Sequence, residues 1–306
     1  MRNKFAQCLT NMASENDKIC LLYADIGNRL FDKLKAVAPE RAINAGIAEA
    51  NMATMASGMA NLGMRPFIYT ITPFTTARNF EQIKIDLAYA DMPVVIVGTG
   101  SGLSYANLGP THHSFEDIAL MRVLPNMQVV CPADSLELEA LMPQMLTVNH
   151  PTYLRIGKKN EPLNYEEVPD IQLGKAHVLK EGSSVLLLCT GTALHLGGKL
   201  HQALEEKGIS AELTSMHTVK PLDTDYLQKL ADFDVVVTLE EHSLIGGFGS
   251  AIGEWIIDHY SKPVNLLRCG IPDAFIDKVH DPDSARKRIG LTEAAILPKI
   301  LAKLEG

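Results

Sequence analysis

The stretch MPVVIVGTG, residues 92–100, decides the fold class, because it is an apolar run of strand length that ends in glycines. Similar runs recur through the first half of the sequence and are separated by segments of helical periodicity: KICLLYAD (18–25), RPFIYTI (65–71), NMQVVCPAD (126–134) and HPTYLRIG (150–157). Apolar strands that alternate with helices are typical of a parallel sheet covered on both faces. The first half of the chain therefore predicts an α/β domain.

The same alternation resumes after residues 158–175, where prolines, charges and the lack of a periodic apolar face predict a linker. Four more strands are predicted in SSVLLLCTG (183–191), SAELTSMHTVK (210–220), DVVVTLEE (234–241) and KPVNLLRCG (262–270), and a last helix in 291–306. We therefore predict two α/β domains, 1–170 and 171–306, each a largely parallel sheet flanked by helices.

Composition excludes several classes of protein. The formal charge is −8 and the basic residues are scattered, which argues against a nucleic-acid surface. No apolar run approaches the roughly 18 to 20 residues of a membrane span, and no signal peptide is visible. The five cysteines form no C-x-x-C pair. We predict a cytoplasmic protein with reduced thiols.

Phosphate loops, H-E-x-x-H zinc motifs and G-x-S-x-G elbows are missing from the sequence, but three other segments stand out. The first is NAGIAEANMA (44–53), which sets the carboxylate of Glu49 among small apolar residues at a predicted helix start. The second is LGPTHHSFED (108–117), which contains His112, and the third is VVTLEEHSLIGGFGSAIGEW (236–255).

These three segments, with YADIGNRLF (23–31) and LPNMQVVCPAD (124–134), resemble the pyrimidine-binding and C-terminal domains of transketolases in their order and separation. They are also similar to 1-deoxyxylulose-5-phosphate synthases and to the β subunits of 2-oxoacid dehydrogenases. The resemblance covers essentially the whole chain. It implies an enzyme that depends on thiamine diphosphate.

The resemblance also implies roles for single residues. Glu49 would hydrogen-bond the pyrimidine ring of thiamine diphosphate, and Phe74 or Phe80 would stack on that ring. Asp25 would lie beside the cofactor at a subunit interface, and His112 would bind a substrate oxygen and take part in proton transfer. The residues themselves also allow structural roles: a first-turn glutamate, two core aromatics, a capping aspartate and a solvated histidine.

Substrate contacts are predicted for Arg78, Arg155 and Lys158, although solvated strand-end charges remain an alternative for the last two. The chain has Leu108 where transketolases place an aspartate before G-P-T-H, and Gly100 and Ser101 where they place a phosphate-binding histidine. We therefore expect a substrate that differs from the common sugar phosphates, such as a modified sugar. In the family, the segment with Glu240, Glu241 and His242 is mainly structural, which favours interface hydrogen bonding for these residues; a direct catalytic contribution is the alternative.

The sequence contains no Gly-Asp-Gly, the motif with which relatives hold Mg²⁺ and the diphosphate. A separate partner subunit would then hold both, in an α₂β₂ heterotetramer whose two copies of this chain meet near the Glu49 helix. Transfer of a two-carbon ketol unit from a ketose to an aldehyde is the favoured function. The alternatives are a 2-oxoacid dehydrogenase β subunit, a carboligase similar to 1-deoxyxylulose-5-phosphate synthase, and a regulatory partner without catalytic activity.

Overall fold

The apolar strands of the first half pair side by side in one sheet of seven strands. The computed structural model describes residues 1–277 and 279–305. The strand order is β10-β5-β6-β4-β3-β1-β2, in which β10 (Thr218–Lys220) comes from the second half of the chain. The first six strands in the chain are β1 (Ile19–Tyr23), β2 (Ala42–Asn44), β3 (Arg65–Ile71), β4 (Val95–Thr99), β5 (Gln128–Val130) and β6 (Thr152–Ile156). These six pair in parallel, so their carboxyl ends share one edge of the sheet.

Helices cover both faces of this sheet, because alternate residues of each strand are apolar on opposite sides. The helices of the first half are α1 (Arg2–Glu15), α2 (Asp32–Val37), α3 (Glu49–Asn61), α4 (Thr72–Thr75), α5 (Phe80–Gln82), α6 (Asp117–Arg122) and α7 (Ser135–Met145). A π-helix, Ile83–Tyr89, continues α5. Short 3-10 turns occupy Asn28–Phe31, Pro39–Arg41 and Ala106–Leu108.

The second half forms a sheet of five strands in the order β12-β11-β8-β9-β7. Its strands are β7 (His177–Lys180), β8 (Val185–Cys189), β9 (Ala211–Ser215), β11 (Val235–Ser243) and β12 (Leu266–Ile271). Its helices are α8 (Leu194–Glu205), α9 (Thr224–Leu227), α10 (Phe248–His259), α11 (Pro282–Ile289) and α12 (Glu293–Leu304), with 3-10 turns at Gly191–Ala193 and Leu230–Asp232. Of the strands described in this sheet, only β7 runs antiparallel to its neighbour.

Two α/β units with largely parallel sheets confirm the predicted fold class, with one correction to a strand. The predicted strand 210–220 is broken at Met216 and His217, and its end becomes β10 (Thr218–Lys220). β10 pairs antiparallel with β5 and so joins the first sheet. Gly306, the end of the predicted last helix, lies outside the described residues. The domain limits 1–170 and 171–306 stay a prediction.

One hydrophobic cluster is shared by the two sheets. Leu22 and Ile96 of the first sheet belong to the same buried cluster as Leu188 and Val236 of the second. Separate clusters fill the outer faces, beneath α1 and α7 on one side and beneath α8 and α12 on the other. The packing of one sheet therefore depends on the other. None of the helices within the described ranges is both long and apolar enough to cross a membrane.

Candidate active site

Glu49 is the first residue of α3 and lies at the edge of the sheet where the parallel strands end. Its residue exposure is only 4%, although it is charged. Nη1 of Arg78 donates a hydrogen bond of 2.8 Å to Oε1 of Glu49. Among the described residues, the hydrogen bonds to the Glu49 carboxylate use Oε1, so Oε2 is free to accept another donor. The Arg78 ion pair was not foreseen, because the sequence places only small apolar residues next to Glu49.

Phe74 lies beside this ion pair and is the aromatic residue that the fold brings to Glu49. The Cζ atom of Arg78 lies 4.1 Å from the centre of the Phe74 ring. Phe80 instead packs against the hydrophobic cluster shared by the two sheets. Between the two predicted stacking residues, the geometry therefore favours Phe74.

The position of Arg78 tests whether this place fits a flat nitrogen-containing ring. The guanidinium is planar, lies over an aromatic face and donates a hydrogen bond to a buried carboxylate. A pyrimidine ring that carries N–H donors offers the same two interactions. Arg78 is 45% exposed and can swing away, so the side chains of Glu49 and Phe74 fit the pyrimidine group that the sequence predicts.

His112 approaches the same cluster from the loop between β4 and α6. Its ring contacts the Phe74 ring edge to face, with centroids 5.4 Å apart, and lies 5.8 Å from the Tyr105 ring. Nδ1 of His112 lies 2.9 Å from the hydroxyl oxygen of Thr111. Burial lowers the pKa of His112, and the charge of Lys158 lowers it further. The imidazole is therefore biased towards its neutral form at neutral pH.

This pKa can be tested directly in the isolated chain. A positive charge disfavours the imidazolium, so replacing Lys158 with Met should raise the pKa of His112 towards its ordinary value. NMR titration of the histidine ring protons would measure the shift, with Lys84→Met as a control for loss of a surface charge elsewhere. An unchanged or lower pKa in Lys158→Met would contradict the assignment of the two groups as neighbours.

Lys158 and Arg2 form a cationic end of the cluster. Nζ of Lys158 lies 4.0 Å above the centre of the Tyr105 ring. Burial lowers the pKa of Lys158, and the charge of Arg2 adds to this effect. In the part of the chain that the structure describes, the buried Nε of Arg2 has no hydrogen-bond partner. Arg2 and Tyr105 were missed from the sequence, because neither lies in a recognisable motif.

Arg155 lies elsewhere, and its position corrects the predicted substrate contact. Its side chain is 3% exposed and turns inward from β6, where Nε donates to Oδ2 of Asp117 at 2.6 Å. Nη2 donates to the backbone oxygen of Glu241 in the second domain at 3.0 Å. Lys158, beyond the end of the strand, is partly exposed. These contacts place Arg155 at the interface between the two domains.

Asp25 follows β1 at the same sheet edge as Glu49 and is exposed. Its backbone has a positive φ of 47°, and Nδ2 of Asn44 donates to its Oδ1 at 2.9 Å. The backbone N–H of Asp25 donates to Oδ1 of Asn44 at 3.1 Å. This reciprocal pair fixes the turn after β1 and leaves the remaining carboxylate oxygen available. The proposed contact of Asp25 with the cofactor stays a prediction.

Comparison with known proteins identifies the family of the chain. Residues 1–162 match the transketolase pyrimidine-binding domain, and residues 174–296 match the transketolase C-terminal domain. The chain belongs to the transketolase family. Family members depend on thiamine diphosphate.

The chain is similar to transketolase subunits along most of its length. It is 36% identical to the 6-deoxy-6-sulfo-D-fructose transketolase subunit of Clostridium sp. (strain MSTE9), over 97% of this chain and 92% of that protein. It is 32% identical to a subunit of the apulose-4-phosphate transketolase of Phocaeicola vulgatus, over 89% of this chain and 87% of that protein. A solved split-gene transketolase, an inactive β4 tetramer, superposes with a TM-score of 0.89 at 33% identity, covering 99% of this chain and 97% of that one.

Proposed function

We propose that this chain is the subunit of a split transketolase that binds the pyrimidine side of thiamine diphosphate. The observation that carries the proposal is the cluster of Glu49, Phe74 and His112 at one edge of the sheet. The reaction moves a two-carbon ketol unit from a ketose to an aldehyde. Relatives that match over nearly their whole length are themselves subunits of transketolases.

Glu49, Phe74 and His112 would each have a separate role in the reaction. Bound thiamine diphosphate would supply the nucleophilic carbon that accepts the ketol unit. Glu49 would hold the pyrimidine ring and share a proton with it, while Phe74 would fix the plane of the ring. His112 would donate a hydrogen bond to a substrate oxygen or accept the proton of a substrate hydroxyl. Its pKa lies below its ordinary value, so the imidazole is biased towards the neutral form that can accept a proton.

A partner subunit would hold the diphosphate and Mg²⁺, since this chain lacks Gly-Asp-Gly. The similarity to an inactive β4 tetramer of a split-gene transketolase supports the need for such a partner. Large apolar side chains lie exposed beside α3 and on the following π-helix, which suits contact between two copies of this chain near Glu49: Ile47, Leu62, Ile85 and Tyr89. We propose an α₂β₂ assembly.

Reconstitution tests this function. The chain, co-expressed with a subunit that carries Gly-Asp-Gly, should form a complex that needs thiamine diphosphate and Mg²⁺ to convert hydroxypyruvate and an aldose into a longer ketose and CO₂. Light scattering coupled to size exclusion would give the stoichiometry. Transfer of an acyl group from a 2-oxoacid to a lipoyl acceptor would favour a dehydrogenase, and formation of a 1-deoxyketose from pyruvate would favour a synthase. Full activity without a partner would contradict the proposal.

The substrate that we propose is a modified ketose with an anionic end. Leu108 lies in the loop that carries His112 and is 37% exposed. Its side chain cannot form a hydrogen bond with a sugar hydroxyl. A hydroxyl that binding buries against Leu108 without a hydrogen-bond partner costs on the order of 1 to 3 kcal/mol, which favours a deoxygenated or otherwise altered sugar. Arg2 and Lys158 suit a phosphate or sulfonate. The two related transketolase subunits are named for a sulfonated and a phosphorylated sugar.

The proposed binding of the anionic end of the substrate by Arg2 can be tested with Arg2→Met. Loss of a charge-assisted hydrogen bond should raise KM for phosphorylated or sulfonated ketoses by about 10- to 100-fold. KM for hydroxypyruvate, which has no sugar chain, should change little. Lys4→Met is the matched control, because Lys4 lies on the same helix and pairs with Glu139. Equal effects on both classes of donor would show that Arg2 does not bind the anion.

A further inference from the structure

Glu241 reaches from the second domain into the loop that borders the candidate active site. It lies in β11 and is 4% exposed. Its Oε1 accepts a hydrogen bond of 2.8 Å from the backbone N–H of Leu103, a residue that is fully buried. Leu103 lies in the loop between β4 and α6, the same loop that carries Tyr105 and His112. One carboxylate therefore joins the two domains at a backbone amide.

The loop is shaped to meet this carboxylate. Gly102 has a φ of +58°, and a Cβ atom there would lie 2.5 Å from Oε1 of Glu241. Gly100 has a φ of +77°, and a Cβ atom there would lie 2.0 Å from Cε2 of Tyr105. The loop thus passes between Glu241 on one side and the Tyr105 ring on the other, and neither approach leaves room for a side chain.

The position of this loop affects residues of the candidate active site. The Tyr105 ring supports Nζ of Lys158 at 4.0 Å and lies 5.8 Å from the His112 ring. The backbone oxygen of Gly102 also accepts a hydrogen bond of 3.2 Å from the N–H of Ser114, two residues after His112. A shift at Leu103 would therefore move both the cationic end and the histidine.

Glu241 is itself held from two directions. Its Oε2 accepts a hydrogen bond of 2.7 Å from Nε of Arg286 in α11. Its backbone oxygen accepts the bond from Arg155 described above. Nη1 of Arg286 also donates a hydrogen bond of 2.9 Å to Oδ1 of Asp283, which is exposed. The carboxylate consequently has little freedom to follow the loop if the loop moves.

We propose that Glu241 is a positioning residue through which the second domain sets the geometry of the substrate side of the active site. It acts through the Leu103 amide and Tyr105 on His112 and Lys158. The length of the side chain, which brings an oxygen to the Leu103 amide, matters more than its charge. This inference rests on the proposed ketol transfer for its kinetic consequence, whereas its structural consequence can be measured without any activity.

Two variants separate the effect of side-chain length from the effect of charge at position 241. Glu241→Asp keeps the charge that faces Arg286 but withdraws the carboxylate by one methylene from the Leu103 amide. Glu241→Gln keeps an oxygen at the distance of that amide and loses the charge. The buried Leu103 amide cannot move to another partner, whereas Arg286 is 32% exposed and also pairs with Asp283. The Gln variant should therefore retain the loop contact, and Asp283→Asn is the matched control for weakened pairing of Arg286.

Hydrogen exchange on the isolated chain is the first measurement. Peptides that cover residues 101–108 should exchange faster in Glu241→Asp than in the unaltered chain, and stay protected in Glu241→Gln and Asp283→Asn. The opposite order, with Gln faster than Asp, would mean that only the ion pair with Arg286 matters, and it would overturn the proposal. Equal exchange in all variants would overturn it as well.

Kinetics of the reconstituted complex are the second measurement. Glu241→Asp should raise KM for the ketose donor by about 10- to 100-fold, because small displacements of positioning groups have effects of that size. The affinity for thiamine diphosphate should not change, since the Glu49 and Phe74 end is untouched. A loss of cofactor affinity with an unchanged KM would overturn the proposal. Absence of ketol transfer in the unaltered complex would instead count against the proposed function, and the exchange experiment would still test the role of Glu241.

Discussion

Replacement of Glu49 with glutamine should lower kcat of the reconstituted complex by a factor of about 10² or more, the scale of a positioned acid or base. Gln preserves the size of the side chain and an oxygen that can accept the hydrogen bond of Arg78. It cannot share a proton with the pyrimidine ring. Because the change is nearly isosteric, the chain should fold and assemble as before. Turnover at saturating thiamine diphosphate is the quantity to measure.

The control for this variant is Glu81→Gln, a change of the same kind at an exposed position near Arg78 in the chain. It should leave kcat unchanged. Thermal unfolding of both variants would show whether a lost activity reflects a lost fold. Near-normal turnover in Glu49→Gln, with the cofactor saturating, would remove Glu49 from the catalytic assignment.

Replacement of Arg155 with Met should destabilise the isolated chain by about 3 to 5 kcal/mol, because it leaves a buried carboxylate without its cation. Asp117 is fully buried and accepts hydrogen bonds of 2.6 Å from both Nε of Arg155 and the hydroxyl of Tyr153. Burial favours the neutral acid, yet the charge of Arg155 and the hydrogen bonds from Arg155 and Tyr153 hold the pKa of Asp117 below its ordinary value. Urea unfolding would measure the loss.

The pH dependence gives a further check on the same pair. A carboxyl whose pKa is lower in the folded than in the unfolded chain contributes stability above its unfolded pKa, and this contribution disappears as pH falls through the folded pKa. The difference in stability between the unaltered chain and Arg155→Met should therefore shrink in acid. Arg288→Met is the control: its pair with Asp277 is exposed on both sides, so the expected loss is below about 1 kcal/mol. Equal losses would contradict the buried role of Arg155.

The parallel sheet was predicted from the sequence, and parallel strands align their carboxyl ends. In the structure, Asp25 follows β1, Glu49 follows β2, Phe74 follows β3 and Lys158 follows β6, which places these candidate residues at one edge of the sheet. Residues 210–220 were predicted as one strand, since the apolar alternation continues through them. In the structure, the end of this segment pairs with β5 of the first sheet, so β10 is a separate strand and does not continue β9.

The residues that the sequence misjudged are those whose role depends on a distant contact. Arg155 is a charge near a strand end in the sequence, but its burial depends on Asp117 and on the backbone of Glu241 in the other domain. Tyr105 and Arg2 matter because the loop and α1 meet Lys158, which no spacing in the chain encodes. The pairing of Arg78 with Glu49 likewise joins the loop after β3 to the first turn of α3.

By itself, the sequence determined the α/β class, the two sheets, the family and the choice of Glu49, His112 and either Phe74 or Phe80 as candidate site residues. These follow from the period of apolar residues and from short motifs, both of which are local properties of the chain. The tertiary structure alone decided which charges are buried in pairs, which cations remain available for an anion and how the second domain reaches the loop of His112. Those outcomes depend on desolvation and on distances between segments far apart in the chain, and neither can be read from spacing.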